Sequence, residues 1–127
     1  MELSQFSDFA LRTLIYVGLR DTAERTSVRE IAEAYQISRN HLVKVVHHLA
    51  KIGVVETTRG RGGGIQLAHD PAEINIGKVL RKTESFGLVE CMPPREGTCC
   101  IAPVCVLKTA LAKAKTAFLN ELDRYTL

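Results

Sequence analysis

The chain has 127 residues, with 17 Lys or Arg against 14 Asp or Glu, four cysteines, 46% hydrophobic and 6% aromatic residues, and no Trp. That is the composition of one small globular unit, and it leaves little room for a deep substrate pocket beside a catalytic apparatus. No apolar run reaches the roughly 18 residues that a bilayer span needs. Glu2, Asp8 and Arg12 at the start are unlike a basic-then-apolar export signal, so a cytoplasmic protein with no membrane partner is expected.

Leu3, Phe6, Ala10, Leu14 and Val17 recur at helical spacing over residues 3–19, with Ser4 or Ser7 placed to cap the helix and Asp8 near its positive end. The segment from Asp21 to Arg25 is a polar connection. Ser27-Val28-Arg29-Glu30 has the form of a capping box and predicts a short helix burying Val28, Ile31 and Ala32. After a brief turn at Tyr35-Gln36-Ile37, Ser38 is expected to cap a second helix that buries Leu42, Val45, Val46 and Leu49 and ends at Gly53. Val54–Thr58 and Gly64–Ala68 are strand-like and bracket Arg59-Gly60-Arg61-Gly62-Gly63, whose glycines suit a tight turn. Helix, turn, helix and hairpin is the order of a winged helix-turn-helix domain, assigned to residues 1–70.

Residues 71–127 form the second part: a short helix from about Ile76 to Thr83, a cysteine-bearing loop over 91–105, and a long helix over 104–125. The loop carries the helix breakers Pro93, Pro94, Gly97 and Pro103. Along the long helix, Val104, Leu107, Leu111, Ala114, Phe118, Leu122 and Tyr125 make a seam that needs a second helix to cover it. The expected architecture is mainly α with a small β-hairpin, a winged helix-turn-helix domain followed by a dimerisation helix.

Charge is concentrated on the second helix and the hairpin. From Arg39 to Arg61 there are Arg39, Lys44, Lys51, Arg59 and Arg61 against Glu56 alone, a local surplus of 5 − 1 = 4 that exceeds the +3 of the whole chain. Arg39 and Asn40 suit guanine and adenine edges in a major groove, and Ser38 and Lys44 suit phosphates. Ser27 and His41 join them as candidate DNA contacts, and Arg59 and Arg61 at the wing tip can enter a minor groove or clamp the backbone. His47, His48 and His69 read as ordinary surface or half-buried residues. Two recognition helices related by a dyad read one inverted-repeat operator, so a homodimer on double-stranded DNA is expected. An enzyme is not expected, because no nucleophile–base set, paired carboxylates or phosphate loop is present.

The cysteines are equally uneven: Cys91, Cys99, Cys100 and Cys105 fall within one loop, with Cys91, Cys99 and Cys105 spaced C-x7-C-x5-C. Without an export signal such a group points to metal or redox chemistry before disulfides. From spacing alone, an iron–sulfur cluster, a zinc site in an interaction module and a thiol switch all stay open.

Three stretches carry a resemblance. Leu3-x2-Phe6-x-Asp8-x2-Leu11-Arg12, Ser38-Arg39-Asn40-His41-Leu42-Val43-Lys44 and Arg59-Gly60-x-Gly62-Gly63-Gly64-Ile65-x-Leu67 resemble the Rrf2 family of winged-helix regulators. Leu88-Val89-x-Cys91, Cys99-x3-Pro103-x-Cys105-x-Leu107-Lys108 and the end from Phe118 to Leu127 are similar to its nitric-oxide-sensing repressors. The resemblance implies a homodimer holding an iron–sulfur cluster, 4Fe–4S favoured and 2Fe–2S as the alternative, through Cys91, Cys99 and Cys105. It implies Asp8 of the partner subunit as fourth ligand, Cys100 as a substitute for Cys99, and nitric oxide as the signal that relieves repression. The IscR-like 2Fe–2S branch carries a histidine three residues after its last cysteine, where this chain has Lys108.

Overall fold

The computed structural model describes residues 2–20, 24–95 and 97–127. Of the expected polar connection, Asp21, Thr22 and Ala23 lie outside the described residues. Among the described residues, five α-helices and one hairpin run in the order α1 (Gln5–Gly18), α2 (Val28–Tyr35), α3 (Arg39–Lys51), β1 (Val55–Thr58), β2 (Gly64–Leu67), α4 (Ile76–Thr83) and α5 (Val106–Leu122).

Ser4 caps α1 by accepting from the Ser7 amide at 3.3 Å. The buried face of α1 is Ser7, Ala10, Thr13, Leu14 and Val17, so two polar side chains share the face that the apolar stripe predicted. Both are satisfied: Ser7 Oγ donates to Thr83 Oγ1 at 3.2 Å, and Thr13 Oγ1 donates to the Phe9 carbonyl at 2.7 Å. A hydroxyl bonded in this way costs little to bury.

The capping box of α2 is formed, with Ser27 Oγ accepting from the Glu30 amide and the Glu30 carboxylate accepting from the Ser27 amide at 2.6 Å. The Ser27 amide first, and then the Ser27 hydroxyl, hold the Glu30 carboxyl below its ordinary range. The turn into α3 is a Schellman motif. Gln36 sits at φ 54, its amide donates to the Glu33 carbonyl, and the Ile37 amide donates to the Ala32 carbonyl. Ser38 occupies the N-cap position of α3 but makes no side-chain capping bond, which corrects the capping role expected of it. Its carbonyl accepts from the Leu42 amide, leaving the hydroxyl exposed.

The hairpin pairs antiparallel, Val55 with Leu67 through Thr58 with Gly64. Thr26 adds a bridge, exchanging backbone bonds with Ile65 at 3.0 and 2.7 Å. At the wing tip Gly60 and Gly62 take positive φ, but Gly63 is needed for another reason: a Cβ there would run into the Thr58 carbonyl. The core gathers Ala10, Leu14 and Val17 of α1, Ile31 of α2, Leu42, Val45, Val46 and Leu49 of α3, and Val55 and Ile65 of the wing.

Helix α4 has the expected bounds and is capped by Asn75, which accepts from the Lys78 amide at 2.9 Å. Helix α5 is shorter than the expected 104–125, and the predicted seam divides. Leu111, Phe118 and Leu122 are half-buried against their own chain with Leu119 fully buried, whereas Val104, Leu107, Ala114 and Tyr125 are exposed. The reason is packing by α4 and Phe86, whose ring lies 6.2 Å from that of Phe118 and so claims one side of the helix.

The end of the chain returns to α4 and α1. The Leu127 amide donates to the Ile74 carbonyl and the Ile76 amide to the Tyr125 carbonyl, both at 3.0 Å, and Leu127 packs on the winged-helix core. Arg81 holds Asp123 in a bidentate pair at 2.5 and 2.7 Å. That guanidinium lowers the Asp123 carboxyl from its ordinary value. Among the described residues no helix is long and apolar enough to cross a membrane.

Candidate nucleic-acid interface and cysteine loop

Burial of Leu42, Val45, Val46 and Leu49 fixes how α3 is rotated, and everything else about its chemistry follows. At 100° per residue, Asn40, Lys44, His47 and Lys51 lie opposite that face, and all are exposed. Arg39 is exposed at the start of the same helix, and Arg59 and Arg61 are exposed on the wing tip. None of these basic groups takes part in an ion pair among the described residues, so their charge is available to an anionic partner.

The remaining predicted contacts divide. His41 lies on the flank of α3 that turns towards α1, its ring 6.3 Å from that of Phe9, and with Lys44, Phe6 and Val45 it lines a shallow cleft of about 210 Å³. Ser27 is committed to its capping box, with its backbone still placed at the head of α2. His47, on the outward face, is a candidate that sequence reasoning set among ordinary histidines. The burial pattern of α3 would have found it, since it lies one turn from both Lys44 and Lys51.

A junction ties the reading helix to the segment leading into the cysteine loop. His48 Nε2 lies 2.8 Å from the Lys82 carbonyl, and its ring meets Phe6 edge-on at 5.4 Å. The Glu84 carboxylate accepts from the amide and hydroxyl of Ser4, each at 2.8 Å. Burial raises the Glu84 carboxyl, but these bonds outweigh it and leave the group below its ordinary range. Periodicity could not reveal this junction, because it joins residues 80 positions apart.

The four cysteines are free, Cys91 and Cys105 half-buried and Cys99 and Cys100 exposed. Cys105 is the N-cap of α5, and its Sγ accepts from the Lys108 amide at 3.4 Å. Met92 anchors the loop as its fully buried side chain. Asp8 pairs with Arg12 of its own helix at 3.0 Å and keeps a side chain 42% exposed. Among the described residues no three His, Cys, Asp or Glu side chains converge on one point, so the single chain does not assemble Cys91, Cys99, Cys105 and Asp8. The donor chemistry fits an iron–sulfur group nonetheless. Three unpaired thiols stand on one loop, one already receives an N–H···S bond of the kind that tunes cluster sulfurs, and the part-exposed Asp8 carboxylate is held by Arg12 alone among the described residues.

Comparison with known proteins identifies the family and the fold. The Rrf2 family profile, described as an iron-dependent transcriptional regulator, matches residues 3–127. The chain is 49% identical over 128 aligned positions to the HTH-type transcriptional regulator NsrR of Bacillus subtilis, covering 100% of this chain and 88% of that protein. It is 48% identical to NsrR of Geobacillus kaustophilus, covering 100% and 87%. Among solved structures, T. potens IscR superposes with a TM-score of 0.75 at 23% identity over 99% of this chain and 82% of its own. CymR, the global cysteine regulator of B. subtilis, gives 0.70 at 24% over 99% and 92%. At those identities the two structures support the fold, a winged helix-turn-helix. With a family match across nearly its whole length and relatives named as transcriptional regulators rather than enzymes, this chain belongs to the Rrf2 family of transcriptional regulators.

Proposed function

We propose that this protein is a cytoplasmic, homodimeric repressor that holds an iron–sulfur cluster, binds an inverted-repeat operator, and releases it on exposure to nitric oxide. The observation that carries the DNA-reading part is the outward face of α3, with Asn40, Lys44 and His47 opposite the buried leucines and valines and a two-arginine wing beside it. Exposed Val104, Val106 and Leu107 at the head of α5 support a second copy, since apolar side chains 81%, 81% and 64% exposed are suited to cover by another subunit. Cys91, Cys99 and Cys105 would hold the cluster, 4Fe–4S favoured over 2Fe–2S, with Asp8 of the partner subunit as the fourth ligand. The bound cluster supplies iron that reacts with nitric oxide.

The chain's own residues supply the coupling. Ordering the loop fixes the head of α5 through Cys105, while the Ser4–Glu84 and His48–Lys82 contacts connect the other end of the loop to α1 and α3. A 100-fold change in operator affinity corresponds to about 2.7 kcal/mol, within the range of allosteric couplings.

The test is anaerobic purification, iron and acid-labile sulfide counts, and operator binding during nitric oxide titration. A brown protein near four irons and four sulfides per chain, losing operator affinity as nitric oxide is added, is the expected result. In Cys91→Ser both counts fall and operator affinity drops about 10- to 100-fold. Retained iron and an unchanged nitric oxide response in that variant would remove Cys91 from the ligand set. A second reading, regulation by thiol oxidation, is favoured by exposed, adjacent Cys99 and Cys100. An iron-free protein whose operator binding follows oxidation would select it.

A further inference from the structure

The reading face of α3 contains one apolar side chain. Val43 is 49% exposed, and it follows Asn40 by three residues and precedes His47 by four. At 100° per residue it falls on the flank of the stripe formed by Asn40, Lys44 and His47, on the side next to Val46, so about half of it is covered and half faces outward. Valine is stiff about χ1 and a poorer helix former than the alanine or lysine that would serve an ordinary solvent-facing position. Around it lie exposed positive charges, Arg39 and Lys44 on the helix and Arg59 and Arg61 on the wing.

In the major groove a thymine presents one apolar group, its C5 methyl, next to hydrogen-bonding edges. We infer that Val43 is a specificity-determining residue that packs against a thymine methyl in each operator half-site, beside the adenine edge that Asn40 is suited to read. The inference rests on the operator-binding reading above and adds to it one base at one position. The exposed half of Val43 would be removed from water by the methyl, and the polar edges that cytosine or guanine present at that place would meet it unpaired. Burying about one methyl's worth of apolar surface corresponds to a roughly fourfold change in affinity per half-site.

The protein, purified anaerobically, is used to select operators from a random-sequence duplex pool. Each thymine of the selected half-site is then replaced in turn by deoxyuridine, which removes the methyl alone. The expected result is one position at which deoxyuridine weakens wild-type binding about fourfold, while Val43→Ala binds the thymine and deoxyuridine duplexes equally. Val43→Thr, which keeps one methyl and the branched shape, retains part of the difference. If no position shows a penalty that Val43→Ala abolishes, the methyl contact is wrong and operator binding stands. If no sequence is enriched at all, the operator-binding reading falls, and this inference with it.

Discussion

The winged-helix half and the cysteine-loop half of this chain solve their packing differently. In α1, α2, α3 and the wing, apolar side chains such as Leu14, Ile31, Leu42, Val45 and Leu49 are completely or almost completely buried, and the polar Ser7, Thr13 and Thr26 are buried beside them with partners. From residue 84 to the head of α5 the proportions reverse. Met92 is buried, but Leu88, Ile101, Val104, Val106 and Leu107 are exposed and the thiols are unpaired. The reading head has a packed core, to which Ile74, Val79 and Leu127 of the second part also contribute. A loop whose apolar groups are exposed and whose thiols are unpaired in one chain can change state when something binds it or covers it.

That comparison can be broken most directly with matched leucines. Leu14→Ala, at a site with no exposed surface, is expected to cost about 2–5 kcal/mol in denaturant unfolding. Leu107→Ala, at a residue 64% exposed, should leave single-chain unfolding within about 0.5 kcal/mol and instead raise the dimer dissociation constant in sedimentation. Equal unfolding losses in the two variants would mean that the halves are not distinct.

A smaller effect tests the wing. Gly63→Ala places a Cβ against the Thr58 carbonyl, so the turn must shift at an expected cost of about 1–3 kcal/mol. Amide chemical shifts should move from Thr58 to Gly64 while those of α4 and α5 stay in place.

The two helix-capping serines sharpen the contrast within the reading head. Ser27→Ala loses a formed capping box and is expected to lower stability by about 1 kcal/mol. Ser38→Ala removes no capping bond, so its melting temperature should match the wild type while operator affinity falls. A thermal melt and a binding titration on each variant separate the two roles.

The smallest effect is at the junction. The folded-state carboxyl of Glu84 is lowered, so the stability it contributes is complete above the ordinary glutamate value near 4.3 and is lost as the pH falls below that through the folded value. The unfolding midpoint of Glu84→Gln should therefore lie below that of wild type at pH 7 and converge with it as the pH falls through the lowered folded value. A gap that persists in acid would assign the effect to packing.

Much of the reading head was legible in advance because its signals are local. The capping box at Ser27 and Glu30, the face of Leu42, Val45, Val46 and Leu49, and the glycine turn between strands each depend on residues within a few positions of one another. Ser38 shows the limit: the right residue type stands at the N-cap, yet the backbone turn set by Gln36 at φ 54 leaves its hydroxyl unbonded. The cysteines were legible as a group but not as a geometry. Whether their sulfurs converge depends on the conformation of the loop, which residue spacing does not set.

By itself the sequence determined the elements, the burial stripe that rotates α3 outward, and the concentration of positive charge and of thiols, because these follow from residue type and periodicity. Tertiary structure alone decided which side of α5 is covered, that Leu127 packs back on the core, and that Glu84 and His48 connect the loop to α1 and α3. Each of these joins residues far apart in sequence, and the surface available to α5 was set by where α4 and Phe86 came to rest. No periodicity in one segment encodes the position of another.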